Sequence, residues 1–159
     1  MSDIYNVEQT YSEQRRAQLR LAAGIMGIDE PYLLRMLNFF VARVNADKRL
    51  GTICGDRNWD DDRAQVKRMM EFWRAVVLHT GQYSGDLVGV HQNLRGLRRD
   101  DFERWLGLFR ATVEETAPTP AAANYLITRA ESITRTLEAA LFEGAVGDGS
   151  ALNRARRRD

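Results

Sequence analysis

The sequence predicts an all-α protein. Apolar residues recur at helical spacing along nearly the whole chain. No stretch sustains the period-two alternation of β-branched residues that a half-buried strand needs. Capping residues and prolines fall where the apolar stripes begin.

Four stripes define the core helices. Leu33, Leu37, Phe40, Val41 and Val44 share one face, and Asp29-Glu30-Pro31 opens that helix. Gly51 is expected to follow its end. Val66, Met69, Met70, Trp73, Val76 and Val77 form the second stripe, which the acidic run Asp60-Asp61-Asp62 precedes. Carboxylates at a helix start favour the dipole there, which explains that run more simply than a cation site. Gly81, Gly85 and Gly89 then make a loose segment. Phe102, Trp105, Leu106, Phe109 and Val113 form the third stripe. Leu126, Ala130, Ile133, Leu137 and Leu141 form the fourth, behind a Thr119-Pro120 start. Tyr5 to Met26 reads as a further helix with a weaker stripe. Gly144, Gly147 and Gly149 mark the end of the last helix. The domain is expected to span 1–143, and 144–159 to form a flexible basic tail carrying Arg154, Arg156, Arg157 and Arg158.

Composition narrows the function classes. A chain of 159 residues, 44% of them hydrophobic, suits one domain with a real core. A formal net charge of +1 supplies no overall field to draw nucleic acid or an anionic membrane, and neither is expected as a partner. No apolar run approaches a bilayer-spanning length. The opening residues are polar and lack the apolar middle of a secretory signal, so a cytoplasmic protein is expected. The single cysteine, Cys54, fits a reducing compartment and reads as packing.

Two histidines remain to be weighed. His79 lies six residues past Trp73, about 240° round the helix, so it is expected to face solvent near a helix C-terminus that favours its charged form. Leu87, Val90, His91 and Leu94 are spaced i, i+3, i+4, i+7, so His91 shares an apolar face. Such a histidine is either a hydrogen-bonded core residue or a ligand. Imidazole is the axial ligand of globin haem iron, and the neighbouring stripes supply Trp, Phe and Met that suit a flat macrocycle. Other chemistries lack their parts. There is no HExxH, no recognised phosphate loop and no CxxC zinc pattern. Two histidines and one cysteine make a hydrolytic triad a poor reading.

The ordered words GIDEPYLLRML, FFVARVNADKRLG, MMEFW, TGQYSG, HQNL, DFERWLGLFRATVEE and RAESITRTLEAAL resemble the bacterial group III truncated haemoglobins over residues 15–142. The resemblance implies a shortened globin fold, a two-over-two helical sandwich with an extra N-terminal helix here, and haem b between the layers. It assigns the proximal, metal-ligating role to His91 and a distal-side tryptophan to Trp105, fourteen residues later. Phe72 and Trp73 match the aromatic pair of the distal helix, and Tyr83 the loop tyrosine. Phe40, Val41, Gln65, Met69, Leu87, Val90 and Phe102 are expected to line the cofactor. Arg95, with Arg98 and Arg99 beside it, is expected at the propionates. Met69 reads as core filler rather than a sixth ligand.

Two departures stand out. Val41 occupies the position where the family usually carries a tyrosine, and Gln65 the position of its usual histidine. Gln65, Met69 and Phe72 are spaced i, i+4, i+7, so Gln65 still shares the cavity-facing stripe. The iron anchor is therefore kept while the gas-facing chemistry changes, leaving the Gln65 amide and the Trp105 indole as donors. The function expected is reversible binding of O2, CO or NO, in a monomer or weak homo-oligomer with no catalytic residues of its own. One alternative is NO dioxygenase or peroxidase-like turnover fed by an external reductase, since this chain has no flavin or NAD domain. Another is a haem-free globin-like interaction module.

Overall fold

The computed structural model describes residues 2–55, 62–80 and 85–143, with 2–11 as backbone. The helices are α1 (Ser2–Met26), α2 (Glu30–Ala46), α3 (Lys48–Gly55), α4 (Asp62–Val77), α5 (Leu87–Gln92), α6 (Arg99–Thr116) and α7 (Pro120–Glu138), followed by a π-helical turn at Ala139–Glu143. No strand occurs among the described residues. The predicted basic tail, the glycines at 144, 147 and 149, Tyr83 and Asp60-Asp61 lie outside them.

Local chemistry sets the helix ends. The Asp29 carboxylate accepts from the Tyr32 backbone N–H at 2.9 Å, with Pro31 in the first turn of α2. Thr119 caps α7 in the same way, accepting from Ala122 at 3.1 Å with Pro120 behind it. Its hydroxyl also donates to the Met26 carbonyl at 2.7 Å, tying the start of α7 to the end of α1. At that end Gly27 is left-handed at φ +93, with Ile28 N–H bonded to Ala23 O and Gly27 N–H to Gly24 O. This double bond pattern closes the helix, and buried Ile28 and Ala23 complete it.

One predicted boundary is corrected. Gly51 does not follow the first core helix: α2 ends at Ala46, and Gly51 lies inside α3. A Cβ at Gly51 would stand 2.5 Å from the Asn45 carbonyl oxygen, so α3 starts this close to α2 only because the residue is glycine. Gly89 likewise belongs to α5 rather than to a loop.

Packing follows the stripes. α2 is the central helix, laid against α4, α3 and α6, while α6 pairs with α7. The α2–α4 pair thus lies over the α6–α7 pair, and α1 runs across α4 and α7. The fully buried side chains come from all four principal helices: Leu33, Phe40, Trp73, Phe109 and Leu126 are among the largest. Arg43 secures the α2–α6 seam, donating to Thr112 Oγ1 at 3.1 Å and pairing with Glu115. No helix among the described residues is long and apolar enough to cross a membrane.

Candidate functional site

His91 stands on α5, the shortest α-helix among the described residues, none of whose six residues is fully buried. The helix forms because the Asp86 carboxylate accepts from the Gly89 N–H at 3.0 Å at its start. Leu94 falls beyond its end, so the predicted apolar face of four residues is cut to three; Leu87 and His91 are half-buried and Val90 is 43% exposed. The His91 Nδ1 lies 2.7 Å from the Leu87 carbonyl oxygen. A carbonyl can only accept, so Nδ1 carries a hydrogen, and in the neutral ring Nε2 then holds the lone pair. That is the tautomer and the backbone partner of a metal-ligating imidazole. Phe102 lies nearly parallel to the His91 ring, at 6.0 Å and 27°.

Trp105 is half-buried one helical turn beyond Phe102. It belongs to an aromatic chain: Trp105 stacks on Phe109 at 5.5 Å, Phe109 stacks on Trp73 at 5.1 Å, and Phe40 meets both Trp105 and Phe109 edge-on. Phe72 meets Trp73 edge-on at 5.5 Å. Phe40 and Val41 are fully buried; Met69 and Phe72 are half-buried against the same core. Gln65 is half-buried on α4, its carbonyl oxygen accepting from the Asn45 side chain at 3.0 Å.

The rim arginines divide. Arg95 and Arg98 are exposed, whereas Arg99 is paired with Glu143 at 3.0 Å and lies over the Phe142 ring. A groove of about 450 Å³ on the surface between α2 and α4, lined by Leu34, Asn38, Lys67, Met70 and Arg74 among others, contains none of the expected site residues.

His79 differs from expectation. It lies past the end of α4, half-buried and left-handed at φ 53, and burial holds its pKa below the usual histidine value, with Arg129, Arg20 and Arg15 adding to the effect. Desolvation and three nearby cations thus disfavour the charged form that a helix C-terminus was expected to favour.

No family model matches the chain. It is similar to the group 3 truncated hemoglobin of Campylobacter jejuni, with 25% identity over 122 residues that cover 73% of this chain and 93% of that protein. The crystal structure of group III truncated hemoglobin from Campylobacter jejuni superposes with a TM-score of 0.68, over 72% of this chain and 92% of the other, at 24% identity. The fold is that of a truncated globin. The resemblance read from the sequence is thus borne out in both sequence and architecture.

Within this truncated-globin frame, two polar groupings escaped the sequence reading. Asn45 holds Gln65 and also donates to Asp62 at 2.7 Å. Arg49 and Asp101 join α3 to the start of α6 with two bonds, at 2.9 and 3.0 Å. Half of the second grouping has a local signal: Asp100-Asp101 before an apolar stripe reads as an acidic helix start. Its partner, 52 residues away, has none.

Proposed function

We propose that this chain binds haem b through His91 Nε2 and takes up diatomic gases reversibly, in a pocket whose gas-facing donors differ from those usual in the family it resembles. The observation that carries the reading is the Nδ1–H bond from His91 to the Leu87 carbonyl, which presents the other nitrogen as a lone-pair donor. The surroundings fit a flat apolar group: Leu87, Val90, Met69, Phe72 and Trp105 are apolar and all stay partly exposed. With one cysteine and no C-x-x-C-H run, the chain lacks the c-type attachment motif, which fits a haem held without thioether bonds, such as haem b. The cofactor would be covered by residues of 1–143, with Arg95 and Arg98 at its carboxylate edge and Phe102 against the His91 ring.

Haem supplies an iron that takes O2, CO or NO; the protein supplies the anchor and the distal donors. On the distal side Gln65 offers an amide N–H and Trp105 an indole N–H. Val41 offers neither donor nor acceptor. A pocket of this kind favours weak discrimination among gases over the tight oxygen retention that turnover needs.

Purified protein supplied with hemin is expected to develop a Soret band. His91→Ala is expected to lose it, and free imidazole to restore it. A wild type that stays colourless, or a variant that colours equally well, overturns the proposal.

A further inference from the structure

We propose that Arg49, on α3 rather than on His91's own helix, is the positioning residue for His91. The inference rests on the haem reading for its consequence, though not for its geometry.

A six-residue helix without a fully buried side chain packs only lightly, here against the π-helical turn at Ala139–Glu143, so what holds its ends matters. Asp86 holds the start of α5. Arg49 holds the segment beyond its other end. Its Nη2 donates to the carbonyl of Gly96 at 2.5 Å, in the turn that leads from α5 to α6. The same guanidinium grips both carboxylate oxygens of Asp101, Nε to Oδ1 at 2.9 Å and Nη2 to Oδ2 at 3.0 Å. Asp101 is only 4% exposed, and its Oδ2 also accepts from the Arg98 N–H at 2.8 Å, fixing the first turn of α6. The next residue is Phe102, the ring that stacks on His91. One side chain therefore secures both the segment after His91 and the ring against it.

Arg49 is itself held. The Asp47 carboxylate caps α3, accepting from the backbone N–H groups of Arg49 at 3.0 Å and Leu50 at 2.9 Å. Arg104 of α6 grips Asp47 in turn, with its Nε at 2.8 Å from both oxygens. The arrangement is reciprocal. Each carboxylate starts its own helix and binds an arginine from the other. The planar fork is essential to the Arg49 half, because three donors must reach two acceptor groups at fixed angles, which an ammonium does not do.

The test compares wild type with Arg49→Ala, Arg49→Lys and Asp101→Asn, using Arg110→Ala as a control that removes only the exposed α6–α7 pair with Glu131. Amide hydrogen exchange is read over residues 87–98, and the iron–histidine stretching band is read in ferrous protein. Arg49→Ala is expected to raise exchange in that segment roughly tenfold or more, the worth of one lost charge-assisted hydrogen bond. The helical cores of α2 and α7 and the Arg110→Ala control should stay as in wild type. The iron–histidine band should shift or broaden, and Arg49→Lys should not restore it. Should Arg49→Ala fail to fold, Asp101→Asn and Arg49→Lys carry the same expectation. Unchanged exchange and an unchanged band in a folded variant overturn the assignment. A wild type that takes up no hemin overturns the haem reading alone, and the exchange result then decides whether Arg49 holds this segment.

Discussion

Asn45 on α2 donates to the Gln65 carbonyl oxygen on α4 at 3.0 Å, while Asp62, accepting from the same Asn45 nitrogen at 2.7 Å, fixes the donor. The bond commits the oxygen end of the Gln65 amide and leaves its N–H2 end as the donor. If that N–H faces a gas that takes on partial negative charge, losing it removes a bond of about 1.5–3 kcal/mol. Gln65→Leu is therefore expected to speed O2 release by roughly tenfold or more, with CO release little changed. Asn45→Ala should act in the same direction and less strongly. Stopped-flow dissociation rates check both, and equal O2 rates for Gln65→Leu and wild type would count against Gln65 as the distal donor.

Val41 permits the complementary gain. It is 1% exposed on the same helix as Asn45 and stands where the resembled family carries a hydroxyl. Val41→Tyr is expected to slow O2 release by about ten- to a hundredfold through one new hydrogen bond to a charged acceptor. The larger side chain enters a packed core, so stability should fall by about 1–3 kcal/mol. Unchanged O2 release in a folded Val41→Tyr protein would remove Val41 from the gas-facing wall.

The reciprocal α3–α6 ion pairs predict acid sensitivity. Both carboxyls are held below the ordinary value of 3.8, Asp47 chiefly by its bond from Arg104 and Asp101 chiefly by its bond from Arg49. A carboxyl with a lower pKa folded than unfolded contributes stability above the unfolded value and loses it as pH falls through the folded one. Wild type should thus lose stability progressively below about pH 4. Asp47→Asn should be less stable at neutral pH and show a flatter decline over that acid range. Denaturant midpoints measured across pH check this, and parallel curves for the two proteins would refute it.

The aromatic chain predicts the largest core effect. Phe109 is fully buried and touches three aromatic rings, stacking between Trp73 and Trp105 with Phe40 edge-on. Phe109→Ala should cost about 3–5 kcal/mol, read as a lower denaturant midpoint with little change in slope. A loss under about 1 kcal/mol would mean the cavity collapses without consequence.

The parts of this molecule that could be read from its sequence are those written in short range. Leu33 to Val44 and Phe102 to Val113 repeat with the helical period because one face must be apolar, and Thr119-Pro120 announces α7 because capping is local. His91 stood out because a chain with two histidines puts one among Leu87, Val90 and Leu94. The polar contacts that hold the site were not legible. Arg49–Asp101 and Asn45–Gln65 join residues 52 and 20 apart, and an arginine in sequence looks alike whether it meets a buried aspartate or solvent. The boundary at Gly51 was misplaced for a related reason. Glycine there serves a close approach of two backbones, and sequence does not distinguish that use from a helix stop.

His79 supplies the last prediction, because its misreading came from the same source. Burial and the arginines at 129, 20 and 15 come from elements distant in sequence, and together they disfavour its charge. Its backbone is also left-handed at φ 53, a conformation that costs an L-residue roughly 1–2 kcal/mol and that glycine adopts freely. Arg20 reaches only the backbone carbonyl of His79, at 3.5 Å, so the imidazole is not needed for that contact. His79→Gly is therefore expected to stabilise the protein by about 0.5–1 kcal/mol after glycine's own entropy is subtracted. The pH dependence sharpens the test. A histidine whose folded pKa lies below its unfolded value of 6.5 costs stability as pH falls from 6.5 toward the folded value, because only the unfolded chain takes up the proton. The gain in His79→Gly should thus widen as pH drops below neutrality, while the Soret band per mole of protein stays at the wild-type level. A gain that stays constant across that range would mean burial and the arginines do not act on this imidazole, and a lost Soret band would mean that His79, not His91 alone, serves the haem.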